Sequence, residues 1–246
     1  MGCGLYLYGI FPAPGPQGLA LQGLDKQPVQ TQVVDEFTFL YSEAKQKRYL
    51  ASRRNLLGHE KVLEDAMQQG YRTLLPLQFG LVVEDWDAVS EQLIVPHKTR
   101  LQALFEQLEG KREVGVKIFW DTNAELQLML EENPELKAKR DSLQGQVLSM
   151  DLTIQIGQEL ERSLEQRKEA IINRFREELN DLAFEVVENE LLSEASIYNA
   201  AYLIPWDAEA TFGDRVESLD REFEQRLRIR YNNFTAPFNF AQLDRV

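Results

Sequence analysis

Residues 55–80, NLLGHEKVLEDAMQQGYRTLLPLQFG, constrain this chain most, because a helix, its stop signal and a buried strand follow one another within them. Leu56, Val62, Leu63 and Met67 fall at helical spacing, with Glu60, Lys61, Glu64 and Asp65 between them. One face can therefore enter a core while the other stays in water. Gly70, just past the last periodic residue, is placed as a left-handed cap, and the apolar run 74–83, interrupted by Pro76, reads as a strand. A helix feeding a sheet is the unit around which the rest must fit.

The flanking residues extend this unit. An aromatic-rich run at 5–11, closed by Pro12, Pro14, Gly15 and Pro16, predicts a strand followed by a loop to about Val29, and 32–40 alternates as a second strand. Ser42 offers an N-cap for a long helical segment towards Gly70, broken near residues 52–58. After the strand at 74–83, Asp85 opens an amphipathic helix carrying Val89, Leu93, Leu101, Leu104, Phe105 and Leu108, which Pro96 kinks or splits. Gly110 stops it, and Val114, Val116, Ile118 and Trp120 alternate along a half-buried strand. The order strand, strand, helix, strand, helix, strand predicts an α+β sandwich of ferredoxin-like type, with helices on one face of a mainly antiparallel sheet.

From Thr122 the chain becomes helix-rich and charged, so two domains are expected, 1–121 and 122–246. Asn133 and Pro134 form a cap and first-turn pair for a helix reaching about Asn180. Leu143, Val147, Met150 and Ile154, then Leu164, Ile171, Phe175 and Leu182, mark short heptad-like seams on either side of Gly157. They predict a helical hairpin or short coiled coil; Gly145 and Gly157, each costing about 1 kcal/mol against alanine, disfavour a long one. Strands at 182–187 and 196–203, a helix at 209–226 and a last strand at 227–231 repeat much of the first half's order, so the second domain is also expected to be a ferredoxin-like-type α+β sandwich.

Composition narrows the function. The 40 carboxylates exceed the 27 lysines and arginines, leaving a net charge of -13, which argues against nucleic acid and anionic lipid and favours a protein partner. No apolar run approaches the roughly 20 residues that span a bilayer. Cys3 is the only cysteine, so no internal disulfide is possible, and the opening MGCGLYLYGIF lacks the basic region and cleavage site of a secretory signal; a cytoplasmic location is expected. His59 and His97 have no partner at metal-ligand spacing, and Gly2-Cys3-Gly4 precedes the first strand instead of following it, as a phosphate loop would. Neither metal nor cofactor nor catalytic residue is expected. His59 could act as an acid/base residue with a carboxylate partner, but a structural hydrogen bond at a helix surface or end accounts for it more simply.

Several segments together carry a resemblance. HEKVLEDAM (59–67) followed by LPLQFG (75–80), with YLYGI (6–10), GKREVGVKIFWD (110–121), NAAYLIP (199–205) and TAPFNFA (235–241), resembles the gas vesicle protein F/L family (GvpF/GvpL) over nearly the whole chain and in the family's order. The resemblance implies a non-enzymatic cytoplasmic protein associated with the gas vesicle and required for its formation. It also implies, as partners, the small hydrophobic shell protein GvpA and other gas vesicle proteins. A shell subunit with an apolar gas-facing wall is an aggregation hazard until assembled, and a soluble acidic protein could hold or nucleate it. The competing reading is a small-molecule enzyme or ligand-binding module on an α+β scaffold.

The Pro/aromatic ending supplies the candidate partner surface. Phe234, Pro237, Phe238 and Phe240 are expected to border it, with Leu75, Leu77 and Phe79 as buried scaffold. The tail either folds back, covering a sheet or sealing the two domains together, or stands exposed as the contact itself.

Overall fold

The computed structural model describes residues 4–142, 150–224 and 226–243. It begins with β1 (Leu5–Pro12), followed by a hairpin of β2 (Gln30–Val34) and β3 (Phe37–Glu43). The single strand expected at 32–40 is thus two strands, reversed at Asp35 and Glu36, where Asp35 takes a φ of 53°. Alternation counted straight across those residues hid the turn.

The first helix, α1 (Arg53–Gln68), starts later than the sequence suggested. Ser42 lies buried in β3, its hydroxyl 3.0 Å from that of Tyr8, and the cap is Ser52, whose hydroxyl accepts the Asn55 N–H at 3.3 Å. At the other end Gly70 is left-handed with φ 99°. Its N–H reaches the Met67 carbonyl at 3.0 Å and the Tyr71 N–H reaches that of Ala66 at 3.3 Å, a Schellman arrangement.

The run at 74–83 is two short strands, β4 (Leu75–Pro76) and β5 (Val82–Val83), both antiparallel to β1. Pro76 has no N–H to give the ladder. Leu77 still donates to the Tyr8 carbonyl at 2.9 Å and Leu81 accepts from the Leu7 N–H at 3.1 Å, and the residues between them, 78–80, loop away from β1. Asp85 then caps α2 (Trp86–Val89), its carboxylate accepting the Ala88 N–H at 2.9 Å. A π-helical turn over Ser90–Ile94 carries α2 into α3 (Val95–Leu108). Pro96, lacking an N–H, is absorbed by this widened turn, so the helix is deformed and not split.

These strands form a sheet in the order β2-β3-β1-β4, with β5 also on β1. Between Leu7 and Gly9 the register shifts by a β-bulge at Tyr8, which turns Tyr6, Tyr8 and Phe11 into one core with Val62, Leu63, Ala66 and Met67 of α1. On the opposite face, Phe37 stacks on Phe105 at 5.8 Å, and Phe39 and Tyr41 meet Trp86 at 6.0 and 4.8 Å. Helices therefore cover both faces of this sheet, where the sequence suggested one.

The second half begins with β6 (Lys111–Trp120), α4 (Thr122–Glu132), α5 (Pro134–Ser142) and α6 (Met150–Leu179). It continues through β7 (Glu185–Glu188), β8 (Ser196–Pro205), α7 (Glu209–Glu222) and β9 (Leu227–Thr235). The sheet order is β7-β8-β6-β9, and both sheets are antiparallel. Asp121 caps α4, and the Asn133 side chain caps α5 by accepting the Leu136 N–H at 3.1 Å. Met129, Leu130 and Leu136 pack with Leu160 and Leu164. Lys139 pairs with Glu159 at 2.6 Å, and Glu132 and Glu125 pair with Arg167 at 2.6 and 2.7 Å. Later residues of α6 thus meet earlier residues of α4 and α5, the antiparallel sense of a helical hairpin. Of the expected seams, Leu143, Gly145 and Val147 lie outside the described residues; Met150 and Ile154 are exposed, whereas Ile171 and Phe175 are buried.

By packing, the described residues divide into two compact units. One falls within Met1–Val114, Tyr202–Glu209 and Asn232–Val246, the other within Gly115–Ala201 and Ala210–Tyr231. They differ from the consecutive domains expected at 1–121 and 122–246, because β8 and β9 return late in sequence to flank β6.

Candidate partner-docking site

The first unit builds its most distinctive feature from three of the segments quoted above. His59 faces inward from α1 and is 2% exposed, not on a helix surface. Its Nε2 lies 3.1 Å from the Leu77 carbonyl, which can only accept, so Nε2 carries the proton. Nδ1 then accepts from the Tyr6 hydroxyl at 2.9 Å, and that oxygen accepts the Gly80 N–H at 3.0 Å. The chain of bonds pins the loop 77–80 at both ends and leaves Phe79 5.9 Å from the imidazole. Burial holds His59 down to about pKa 4, against the opposing hydrogen bond to Leu77, so the ring is neutral and structural.

The tail is anchored as firmly. Glu113 of β6 is 4% exposed, and its carboxylate accepts the backbone N–H of Asn239 at 2.9 Å and its side-chain amide at 2.6 Å. Burial pushes this carboxyl up to about 7, although both Asn239 bonds pull it down. Arg112 donates to the Asn233 carbonyl and lies over the rings of Trp206 and Phe234, and Arg72 covers Trp206 at 4.5 Å.

The structure thus places the four tail residues differently. Phe234 packs edge-on to Trp206 at 6.3 Å, Pro237 is buried and Phe240 is 4% exposed. Phe238, half-buried and 6.5 Å from His59, lines an opening. That opening is a cavity of about 510 Å³ whose walls are the loop from Pro76 to Leu81, Leu93 and His97, and Phe238, Ala241, Gln242 and Leu243 of the tail. A second hollow of about 540 Å³, lined by Arg48, Tyr49, Leu50 and Ala51, meets the same Phe79 and Gly80. Phe79-Gly80 is therefore a ridge between two hollows, and Leu50, 78% exposed, stands beside it.

Sequence reasoning missed Leu50, His97 and Glu113. Leu50 lies in a stretch without a decisive pattern, and His97 falls on an amphipathic helix whose periodicity says nothing of a hollow beside it. Glu113 had one readable signal: a carboxylate opening an otherwise apolar alternating strand.

A hollow lined by apolar side chains, with Gln78, His97 and Gln242 as its polar side chains, suits side chains of a protein partner more than a polar metabolite. Among the described residues, no group of histidine, cysteine or carboxylate side chains is placed to hold a metal, and no helix is long and apolar enough to cross a membrane.

A two-sheet α+β protein with this pinned loop and anchored tail falls in a defined class. Residues 4–242 match the family described as "Gas vesicle synthesis protein GvpL/GvpF", and the chain belongs to that family. It is 61% identical over 240 residues to gas vesicle protein F of Dolichospermum flosaquae, covering 98% of each chain. Among solved structures it resembles GvpF from Anabaena sp., at a TM-score of 0.86 and 57% identity over 97% of this chain and 96% of that one. GvpF from Microcystis aeruginosa is similar at a TM-score of 0.85 and 55% identity, over 98% and 99%.

Proposed function

We propose that this gas vesicle protein acts in the cytoplasm as a non-catalytic assembly component, required for vesicle formation, that binds or nucleates the shell protein GvpA through the cavity bordered by Phe238. The observation that carries this reading is the ridge of Phe79 and Gly80 between two hollows, one walled mostly by apolar side chains with the aromatic tail among them, the other holding exposed Leu50 beside Arg48. An apolar, strand-forming subunit needs such a surface while it is still outside the wall, and side chains seated in the hollows would shield it from self-association. Phe234, Pro237 and Phe240 then support the tail, and Phe238 makes the contact.

The test is Phe238→Asp in a strain lacking the native gene, with vesicles counted by electron microscopy and association with GvpA followed by a split reporter. A point variant is preferable to truncation after Tyr231, which would also remove Ala236 and Phe240 from the core. Loss of association with an unchanged melting temperature is expected. Normal vesicles and normal association from the folded variant would exclude the cavity.

A further inference from the structure

A second surface, on the second unit, carries an inference independent of the tail. Along β9 the side chains alternate: Leu227 is buried, Ile229 and Tyr231 are half-buried, and the Tyr231 ring stacks on Phe212 of α7 at 5.8 Å. Arg228 and Arg230 point to the other face, where their guanidiniums lie 4.6 and 5.1 Å from the ring of Phe119 on β6. Lys117, two residues before Phe119 on the same strand, shares that face.

These cations differ from the arginines around them. Arg167, Arg174, Arg176, Arg215 and Arg226 are each held by glutamates, Arg226 by Glu125 at 2.7 Å. Among the described residues, Lys117, Arg228 and Arg230 pair with no carboxylate, in a chain with 40 of them. Their strand, β9, closes one end of the order β7-β8-β6-β9, so no strand of this chain lies on its outer side among the described residues.

We propose that the β9 edge docks an extended acidic segment of a partner protein, added as an antiparallel strand with carboxylates at alternate positions opposite Arg228 and Arg230. Same-face residues of a strand repeat every ~7 Å, so alternate carboxylates match the two guanidiniums, while the outward main-chain groups around Arg228 and Arg230, on a strand at the end of the sheet order, supply the ladder. Phe119 beneath them fixes both guanidiniums in place, which lowers the entropy cost of pairing. The net charge of -13 disfavours a long polyanion or an anionic bilayer, which would also face the acidic remainder of the surface; a short segment touches the patch alone.

The full-length protein, labelled for amide NMR, tests this with a short blocked peptide bearing glutamate at alternate positions between valine and threonine, and with its glutamine counterpart. The glutamate peptide should bind about tenfold more tightly at low salt, with shifts concentrated on β9. The double variant Arg228→Gln/Arg230→Gln, checked for an unchanged melting temperature, should lose that preference. Equal affinity for the two peptides, or a preference surviving the double substitution, would overturn the proposal. So would tighter binding of a nucleic acid or of anionic vesicles at the same residues, or self-association that the double variant abolishes, since either identifies a different occupant.

Discussion

Glu113 and Asn239, 126 positions apart, are joined by two hydrogen bonds that both run from Asn239 to one buried carboxylate. The bond pair fastens the tail, yet the carboxyl it uses is raised to about 7. The folded protein thus holds this proton more tightly than the unfolded chain does. Its contribution is full below the ordinary carboxylate range and is lost as pH rises through about 7. Relative to Glu113→Gln, the wild type should therefore lose on the order of 2 kcal/mol of stability between about pH 5 and pH 8. Urea unfolding of both proteins across that range measures it; a pH-independent difference would refute the assignment.

His59 carries the opposite sign. Burial depresses it to about 4, so the unfolded chain takes up a proton first as pH falls, and stabilisation present above about pH 6.5 is lost towards pH 4. His59→Phe leaves the Tyr6 hydroxyl and Leu77 carbonyl without their partner, and should cost about 2–4 kcal/mol near neutrality. The gap to wild type should narrow as pH drops. Thermal melts at several pH values decide it: a gap that widens in acid would mean the imidazole is charged in the fold.

Gly9 lies where β1 passes under α1. A Cβ there would meet Leu74 Cδ1 at 2.8 Å, Leu63 Cδ2 at 2.9 Å and the Leu75 carbonyl oxygen at 3.0 Å. The side-chain contacts can give and the backbone oxygen cannot, so Gly9→Ala should destabilise by about 1–3 kcal/mol. Leu74→Ala opens a cavity in the core by itself, so the relief is read from a double-mutant cycle in chemical denaturation. In that background Gly9→Ala should cost less than in the wild type, part of the loss being recovered because one of the two side-chain clashes is gone. No recovery would place the strain in the backbone alone.

In the second unit Glu125, with a side chain 1% exposed, is shared by Arg167 and Arg226. Burial alone would raise its carboxyl, but the two guanidiniums more than offset that and hold it below the usual range. Glu125→Ala should cost about 2–3 kcal/mol, less than for a fully buried pair because both arginines reach water. Glu132→Ala, at a side chain 63% exposed, should cost under about 1 kcal/mol. Equal losses would show that exposure does not set the value of these pairs.

The sequence by itself determined the local elements and their punctuation. Gly70 and Gly110 stop helices, Asp85 and Asn133 start them, and Val114 to Trp120 alternates into a core, because capping and periodicity act over a few residues. The family followed from short segments whose order is itself sequence. Tertiary structure alone decided what those segments do together. Nothing local in YLYGI, HEKVLEDAM or LPLQFG says that Tyr6 donates to His59 and His59 to Leu77, because those partners are brought within 3.1 Å by sheet pairing and helix packing. Likewise β3 found β1 on one side and β2 on the other, and the run at 74–83 broke into two short strands that each pair with β1. Of the four tail residues, composition marked all as apolar, but only the folded chain, in which Glu113 fastens Asn239, buried Pro237 and Phe240 and left Phe238 at an opening. Burial and pairing across long sequence separations are properties of the packed chain, and no window of neighbouring residues contains them.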